Sequence, residues 1–249
     1  VANRPPGGAA RRRPRGWFVT GTDTGVGKSV LTAALVAALR AEGIAVQARK
    51  PILTGLDEPA DPDWPHDHEL LARVLGTAPE EVALRAYGPA VSPHLAAELS
   101  ASPVLAEELL QTLIDAADGD QLLIVEGVGG LLVPLDDRYD VRALARALGL
   151  PLLIAARPGL GTINHTLLTI EAARAADLEI TAVVLTPWPE EPDAIERSNR
   201  QTIARLGEVA VWTLPRVARG DSALLAAAGR TLPLAGVPSW ECSPGFSAR

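Results

Sequence analysis

Lysine is almost missing from this chain: of its 23 basic residues only Lys28 and Lys50 are lysines, and 21 are arginines. Arginine therefore serves wherever any cation suffices, and the two lysines invite a chemical reason. An ammonium is a compact point charge that fits between phosphate oxygens, where a planar guanidinium is too large. Cysteine is scarcer still. Cys242 stands alone, which excludes an intrachain disulfide and any cysteine metal cluster. No apolar run reaches membrane-spanning length, and no secretory h-region follows the N-terminal arginines. The expectation is a cytoplasmic protein with no membrane partner. A broad basic surface is lacking too. The net charge is −7, and residues 1–16 hold five arginines and no acid, which leaves the remainder at −12. A body that acidic argues against nucleic acid as a partner.

What is present is length and apolar content: 249 residues, 47% of them apolar, enough to bury the core of one α/β domain. Residues 1–15, VANRPPGGAARRRPR, are rich in Pro, Gly and Arg without periodicity, and they read as a disordered tail. The domain is expected over 16–230, with 231–249 a loosely ordered extension. Inside it, Trp17 to Val19, Ile44 to Ala48, Gln121 to Val125, Leu150 to Ala156, Ile180 to Leu185 and Val209 to Leu214 are short apolar runs. Between them, 28–42, 67–75, 103–117 (Ser102 as N-cap), 141–148, 163–176 and 193–206 have helical spacing. The stretches 56–64 and 87–94 read as irregular. Apolar strands separated by helices predict a mainly parallel sheet of about six to seven strands with helices on both faces. Right-handed crossovers then bring the loops at 20–29, 50–55, 126–130, 157–162, 186–192 and 215–221 to one sheet edge and one cleft.

The first of those loops is the most informative. Trp17-Phe18-Val19 leads into Thr20-Gly21-Thr22-Asp23-Thr24-Gly25-Val26-Gly27-Lys28-Ser29, and an Ala/Leu-rich helical segment follows from Val30. Strand, glycine loop and helix N-terminus in that order make an anion site, because loop and first-turn N–H groups converge on phosphate oxygens. Lys28 adds a positive charge and Ser29 a hydroxyl for Mg²⁺. The first glycine lies one residue earlier than the usual P-loop spacing requires. The expected fold is thus three-layer and P-loop NTPase-like. Mg²⁺ prefers hard oxygens and few carboxylates. Glu126 ends a buried run within Glu126-Gly127-Val128-Gly129, a costly place for a carboxylate unless a cation neutralises it. Asp67 lies among other acids in 57–69, and an exposed acidic loop accounts for it nearly as well. His66, His68, His94 and His165 have no ligand spacing and read as surface, capping or packing residues. The five tryptophans, Trp17, Trp64, Trp188, Trp212 and Trp240, read as core or rim.

The segments GTDTGVGKS, KPILTG, SPHLAAE, EGVGGLLVPL and GTINHTLLTIEA together resemble the dethiobiotin synthetase family in type, order and spacing, over about residues 16–218. That resemblance implies a P-loop α/β fold, a homodimer, and ATP-driven closure of a cyclic urea from 7,8-diaminononanoate and CO₂, a step of biotin biosynthesis. It also implies roles. Gly25, Val26, Gly27, Lys28, Ser29 and Val30 would hold the triphosphate, with Gly127, Val128 and Gly129 beside it. Ser29, Asp67 and Glu126 would surround Mg²⁺. Lys50, with Lys28, would be catalytic, and Thr54 would supply a substrate-binding hydroxyl. Gly161, Thr162, Ile163 and Asn164 would receive the substrate carboxylate from the neighbouring subunit, as suits a helix N-terminus. Thr186, Pro187, Pro215, Arg216 and Val217 fall where the family grips the base. Many members carry asparagine at the place of Thr186, and one hydroxyl cannot make an amide's paired contact, so base preference stays open. Two other readings use the same loop: a P-loop switch or partitioning ATPase, and a synthetase for another cofactor precursor. The switch class commonly carries a second lysine early in the loop, where this chain has Asp23.

Overall fold

The apolar runs become strands because β-branched and leucine side chains alternate between two buried faces. In β1 (Gly16–Gly21), Trp17 and Val19 enter one core cluster while Phe18 enters the other, and all six residues are buried. The computed structural model describes residues 14–117 and 121–234; most of the expected N-terminal tail and residues 235–249 of the expected extension lie outside the described residues. Within them, β1 is the centre of a seven-stranded sheet ordered β3-β2-β4-β1-β5-β6-β7, and every pairing in it is parallel. Its partners are β2 (Val46–Thr54), β3 (Ala83–Tyr87), β4 (Leu122–Glu126), β5 (Leu152–Ala156), β6 (Ile180–Trp188) and β7 (Val211–Pro215). This is the expected three-layer P-loop NTPase-like fold.

Helices cover both faces. On one side lie α1 (Lys28–Ala41), α2 (Asp67–Leu75), the short α3 (Pro79–Val82) and α9 (Ser222–Gly229). On the other lie α4 (Pro93–Leu99), α5 (Ala106–Ala116), α6 (Val141–Leu148), α7 (Thr162–Arg174) and α8 (Ala194–Gly207). Helices α1 and α9 approach so closely that a Cβ on Gly229 would lie 2.0 Å from the Ala34 carbonyl oxygen. Leu232 and Leu234, beyond α9, are buried in the same cluster.

The structure departs from the expected elements at several places, among them β6, which runs on to Trp188 so that Thr186 and Pro187 lie inside it rather than in a loop. The second strand runs on through Thr54, so Lys50 sits inside β2 rather than beyond its end. Ala83–Tyr87 adds an edge strand, β3, that the spacing does not announce. Helix α5 begins at Ala106 with Leu105 at its N-cap, so Ser102 is not the cap. Its carbonyl instead accepts the Tyr87 hydroxyl at 2.8 Å, which pins the chain before α5 to the β3 edge. Helix α9 was not foreseen, since its Ala/Leu run has no amphipathic period.

Candidate active site

The turn between β1 and α1 is shaped by Gly25 and Gly27, whose φ values of 68° and 94° favour glycine. A Cβ on Gly27 would also meet the Thr186 side-chain methyl at 2.9 Å. The loop therefore curls onto the end of β6, and the first-turn amides of α1, which have no intrahelical carbonyl to bond, face the cleft. Val26 packs inward as part of the core. A cavity of about 690 Å³ opens here, lined by Thr24, Gly25, Gly27, Lys28, Ser29 and Val30. Lys50, Leu53 and Thr54 of β2, Asp67 of α2, and Val128, Gly129 and Val133 after β4 form its other walls.

Both lysines face this cavity and both are buried, Lys28 at 6% exposure and Lys50 at 4%. Among the described residues no arginine lines it. The Lys50 Nζ lies 2.5 Å from Glu126 Oε1 and 2.6 Å from Asp67 Oδ2. The Ser29 hydroxyl donates to the same Glu126 Oε1 at 2.7 Å. Glu126 is fully buried, and its second oxygen, Oε2, has no hydrogen-bond partner. Burial pulls the Lys50 pKa down, but the Glu126 and Asp67 carboxylates outweigh it and hold the ammonium above the ordinary lysine value. Burial likewise pushes the Asp67 carboxyl up, and Lys50, aided by Ser29 and Lys28, brings it below the usual carboxylate range. Lys28 differs. Its ammonium donates to the Asp23 carbonyl at 2.9 Å, and burial leads the causes that hold its pKa below the ordinary value.

Sequence similarity accords with this cleft. Residues 15–218 match the family described as "AAA domain". The "ATP-dependent dethiobiotin synthetase BioD" of Rhodococcus erythropolis is 37% identical over 210 residues, covering 84% of this chain and 91% of that protein. The protein of the same name from an Anaeromyxobacter strain is 42% identical over 195 residues, covering 77% and 85%. This chain belongs to the dethiobiotin synthetase family. Among solved structures, chloroplast FtsY from Physcomitrella patens has a TM-score of 0.50 at 15% identity, covering 88% of this chain and 66% of that one, a likeness of fold alone.

In this dethiobiotin synthetase family member the other expected residues spread along the same sheet edge but outside the cavity. Gly161 caps α7 with φ of 89°, and Thr162 is buried while Asn164 is exposed. Thr186 is buried against the loop at Gly27, Pro187 is exposed, and the Arg216 amide donates to the Trp188 carbonyl, which joins 186–188 to 215–217. Pro215 and Val217 are half-buried. Gly127 donates its amide to Val19 at 2.8 Å and faces Phe18 rather than the cleft. The six loops thus share an edge, but only three of them enclose the cavity. Trp64, Pro65, Ala90, Val91, Ser92 and Pro93 supply another wall; their irregular spacing gives no sign of it, and the motif beginning Ser92-Pro93-His94 is its one signal in the sequence. Arg157 was also missed: its guanidinium donates to the Gly25 carbonyl at 3.2 Å and tethers the β5–α7 loop to the phosphate loop. Among the described residues no group of three or more His, Cys, Asp or Glu side chains forms a metal site. A cation here would rely on two carboxylates and a hydroxyl. Among the described residues no helix is long and apolar enough to cross a membrane.

Proposed function

We infer that this protein is an ATP-dependent dethiobiotin synthetase, closing the cyclic urea of dethiobiotin from 7,8-diaminononanoate and CO₂ with release of ADP and phosphate. The observation that carries this reading is the Lys50 ammonium, buried beside the phosphate loop between Glu126 and Asp67 in a chain of that family. A neutral amine of the diamine attacks CO₂, loses a proton and leaves a carbamate. A carbamate oxygen attacks the γ-phosphorus, ADP departs, and a carbamic–phosphoric anhydride forms. The second amine attacks the activated carbonyl, gives up its proton and expels phosphate as the five-membered ring closes.

Such chemistry asks for alignment and charge neutralisation more than for covalent work by the protein. The N–H groups from Gly25 to Val30 would cradle the triphosphate, with Lys28 beside it. Lys50 would lie between carbamate and γ-phosphate, where negative charge gathers as they approach. Thr54 would bond the substrate. The residues present fit Mg²⁺: Ser29, Asp67 and Glu126 offer hard oxygens, and the buried, unpartnered Glu126 Oε2 is a position that a cation would satisfy. When bound, the ion would neutralise charge on the triphosphate.

The substrate carboxylate would reach Gly161, Thr162, Ile163 and Asn164 of a second copy. An apolar surface near that turn supports a homodimer: Leu160 is 95% exposed, Leu168 57% and Leu132 55%. Pro187, Pro215, Arg216 and Val217 would flank the base, with Thr186 packed behind the phosphate loop. Phosphate release with MgATP and bicarbonate, with and without the diamine, tests the function. Release that requires the diamine and yields dethiobiotin is expected; equal hydrolysis without it would favour the switch ATPase.

A further inference from the structure

The Lys50 ammonium bonds the same two carboxylates that the proposed function gives to Mg²⁺. It touches Glu126 Oε1 at 2.5 Å and Asp67 Oδ2 at 2.6 Å, while Ser29, the third oxygen of that set, donates to Glu126 Oε1 at 2.7 Å. A lysine merely reserved for phosphate chemistry could lie along the cavity wall. This one sits where a cation would sit, with 4% exposure and both acids at contact distance. We propose that Lys50 is a positioning residue for the metal site as well as a catalytic one: its ammonium stands in for the divalent ion, holding Glu126 and Asp67 together, and competes with that ion until a nucleotide arrives.

Two positive groups at contact distance from one carboxylate pair repel each other strongly, the more so beside the fully buried Glu126. Entry of the ion therefore requires Lys50 to leave, and leaving is favourable only when an anion receives it. The triphosphate is that anion. The ion then binds tightly only together with the nucleotide, and its arrival swings Lys50 toward the γ-phosphate and carbamate. Binding and alignment become one exchange of cations. This rests on the metal-site reading above and is independent of which substrate the phosphoryl group activates.

The test compares nucleotide-free wild type with Lys50→Met by titrating Mn²⁺ and following its electron paramagnetic resonance. The wild type is expected to bind weakly, and Lys50→Met to bind roughly tenfold more tightly or better, the size of a typical coupling. Lys50→Met/Glu126→Gln should lose that gain, which places the metal at Glu126. Equal affinity in wild type and Lys50→Met would overturn the proposal. Should Lys50→Met fold only with the metal present, the stand-in role is supported directly. Should it not fold at all, the wild type still decides. With only two lysines in the chain, ¹⁵N-lysine labelling gives two ammonium signals, assigned with Lys28→Arg. The Lys50 signal should stay in place with Mg²⁺ alone and move when Mg²⁺ and a non-hydrolysable ATP analogue are added together. Movement with Mg²⁺ alone, or none with both, would refute the exchange. A failed dethiobiotin assay would leave these readouts untouched.

Discussion

The cavity holds two buried lysines, one from β2 and one from the start of α1, and their surroundings treat them in opposite ways. At the β2–β4 end, Lys50 has two carboxylates within 2.6 Å, and they keep it charged despite burial. At the loop end, Lys28 has a backbone carbonyl at 2.9 Å and, among the described residues, no paired carboxylate, so burial depresses its pKa. The first charge is paired within the protein, although Glu126 Oε2 beside it keeps no hydrogen-bond partner. Similar burial thus conceals different electrostatics: two carboxylates in contact hold the charge on Lys50, whereas at Lys28 burial outweighs the acids around it.

The sharpest way to break that contrast is kinetic. Lys28→Met should abolish measurable nucleotide binding in a calorimetric titration. Lys50→Met should retain nucleotide affinity within about an order of magnitude while losing on the order of 10²–10³ in turnover, the usual cost of removing a preorganised charge. Lys50→Arg should fail nearly as badly, because a fork does not replace a point charge. Wild-type-like turnover in Lys50→Arg would end the explanation of why lysine survives here among 21 arginines.

Stability in the absence of nucleotide and metal should rank the two lysines the other way. Lys50→Met leaves Glu126 fully buried beside Asp67 with no ammonium in contact, and breaking such a pair typically costs about 3–5 kcal/mol. Lys28→Met removes a charge that burial disfavours, so its unfolding free energy should stay level or rise, by about 1 kcal/mol at most. A smaller effect follows in acid. The Asp67 carboxyl titrates below its usual value because of Lys50, so its pairing contributes stability above the ordinary carboxylate pKa of about 4 and loses it as pH falls through the lower folded value. Urea midpoints between about pH 5 and pH 2 should therefore drop more steeply in wild type than in Lys50→Met.

The loop end was far more legible in the sequence than the carboxylate end. Gly25 to Ser29 are contiguous, and their order after an apolar run states strand, turn and helix start at once. Lys50, Asp67 and Glu126 come from β2, α2 and β4, and it takes the β2–β4 pairing and the packing of α2 beside β2 to bring them together. Nothing in the acidic run 57–69 separates Asp67 from its neighbours; its place at the first position of α2, facing Lys50, does so. Likewise β3 was invisible because Ala83–Tyr87 sits at the sheet edge with little of it buried and no clean alternation. The parallel core was readable because buried strands are apolar on both faces. Edges, and contacts between distant segments, leave no such period.

The smallest expected effect concerns Thr186. Both its methyl and its hydroxyl lie beside the space that a Cβ on Gly27 would occupy, and the residue is 2% exposed. Packed so, the side chain supports the back of the phosphate loop rather than reaching across to a base. Thr186→Val keeps that shape and removes the hydroxyl, so KM values for ATP and GTP should each stay within about twofold of wild type. If the hydroxyl instead bonded the base, losing one hydrogen bond of about 0.5–1.5 kcal/mol would raise the ATP value alone by about two- to tenfold. Thr186→Asn adds an amide with two donors and an acceptor, and it should separate ATP from GTP where the wild type barely does. That pattern would show the Lys28 end selecting its ligand by phosphate charge, with the base left almost unread.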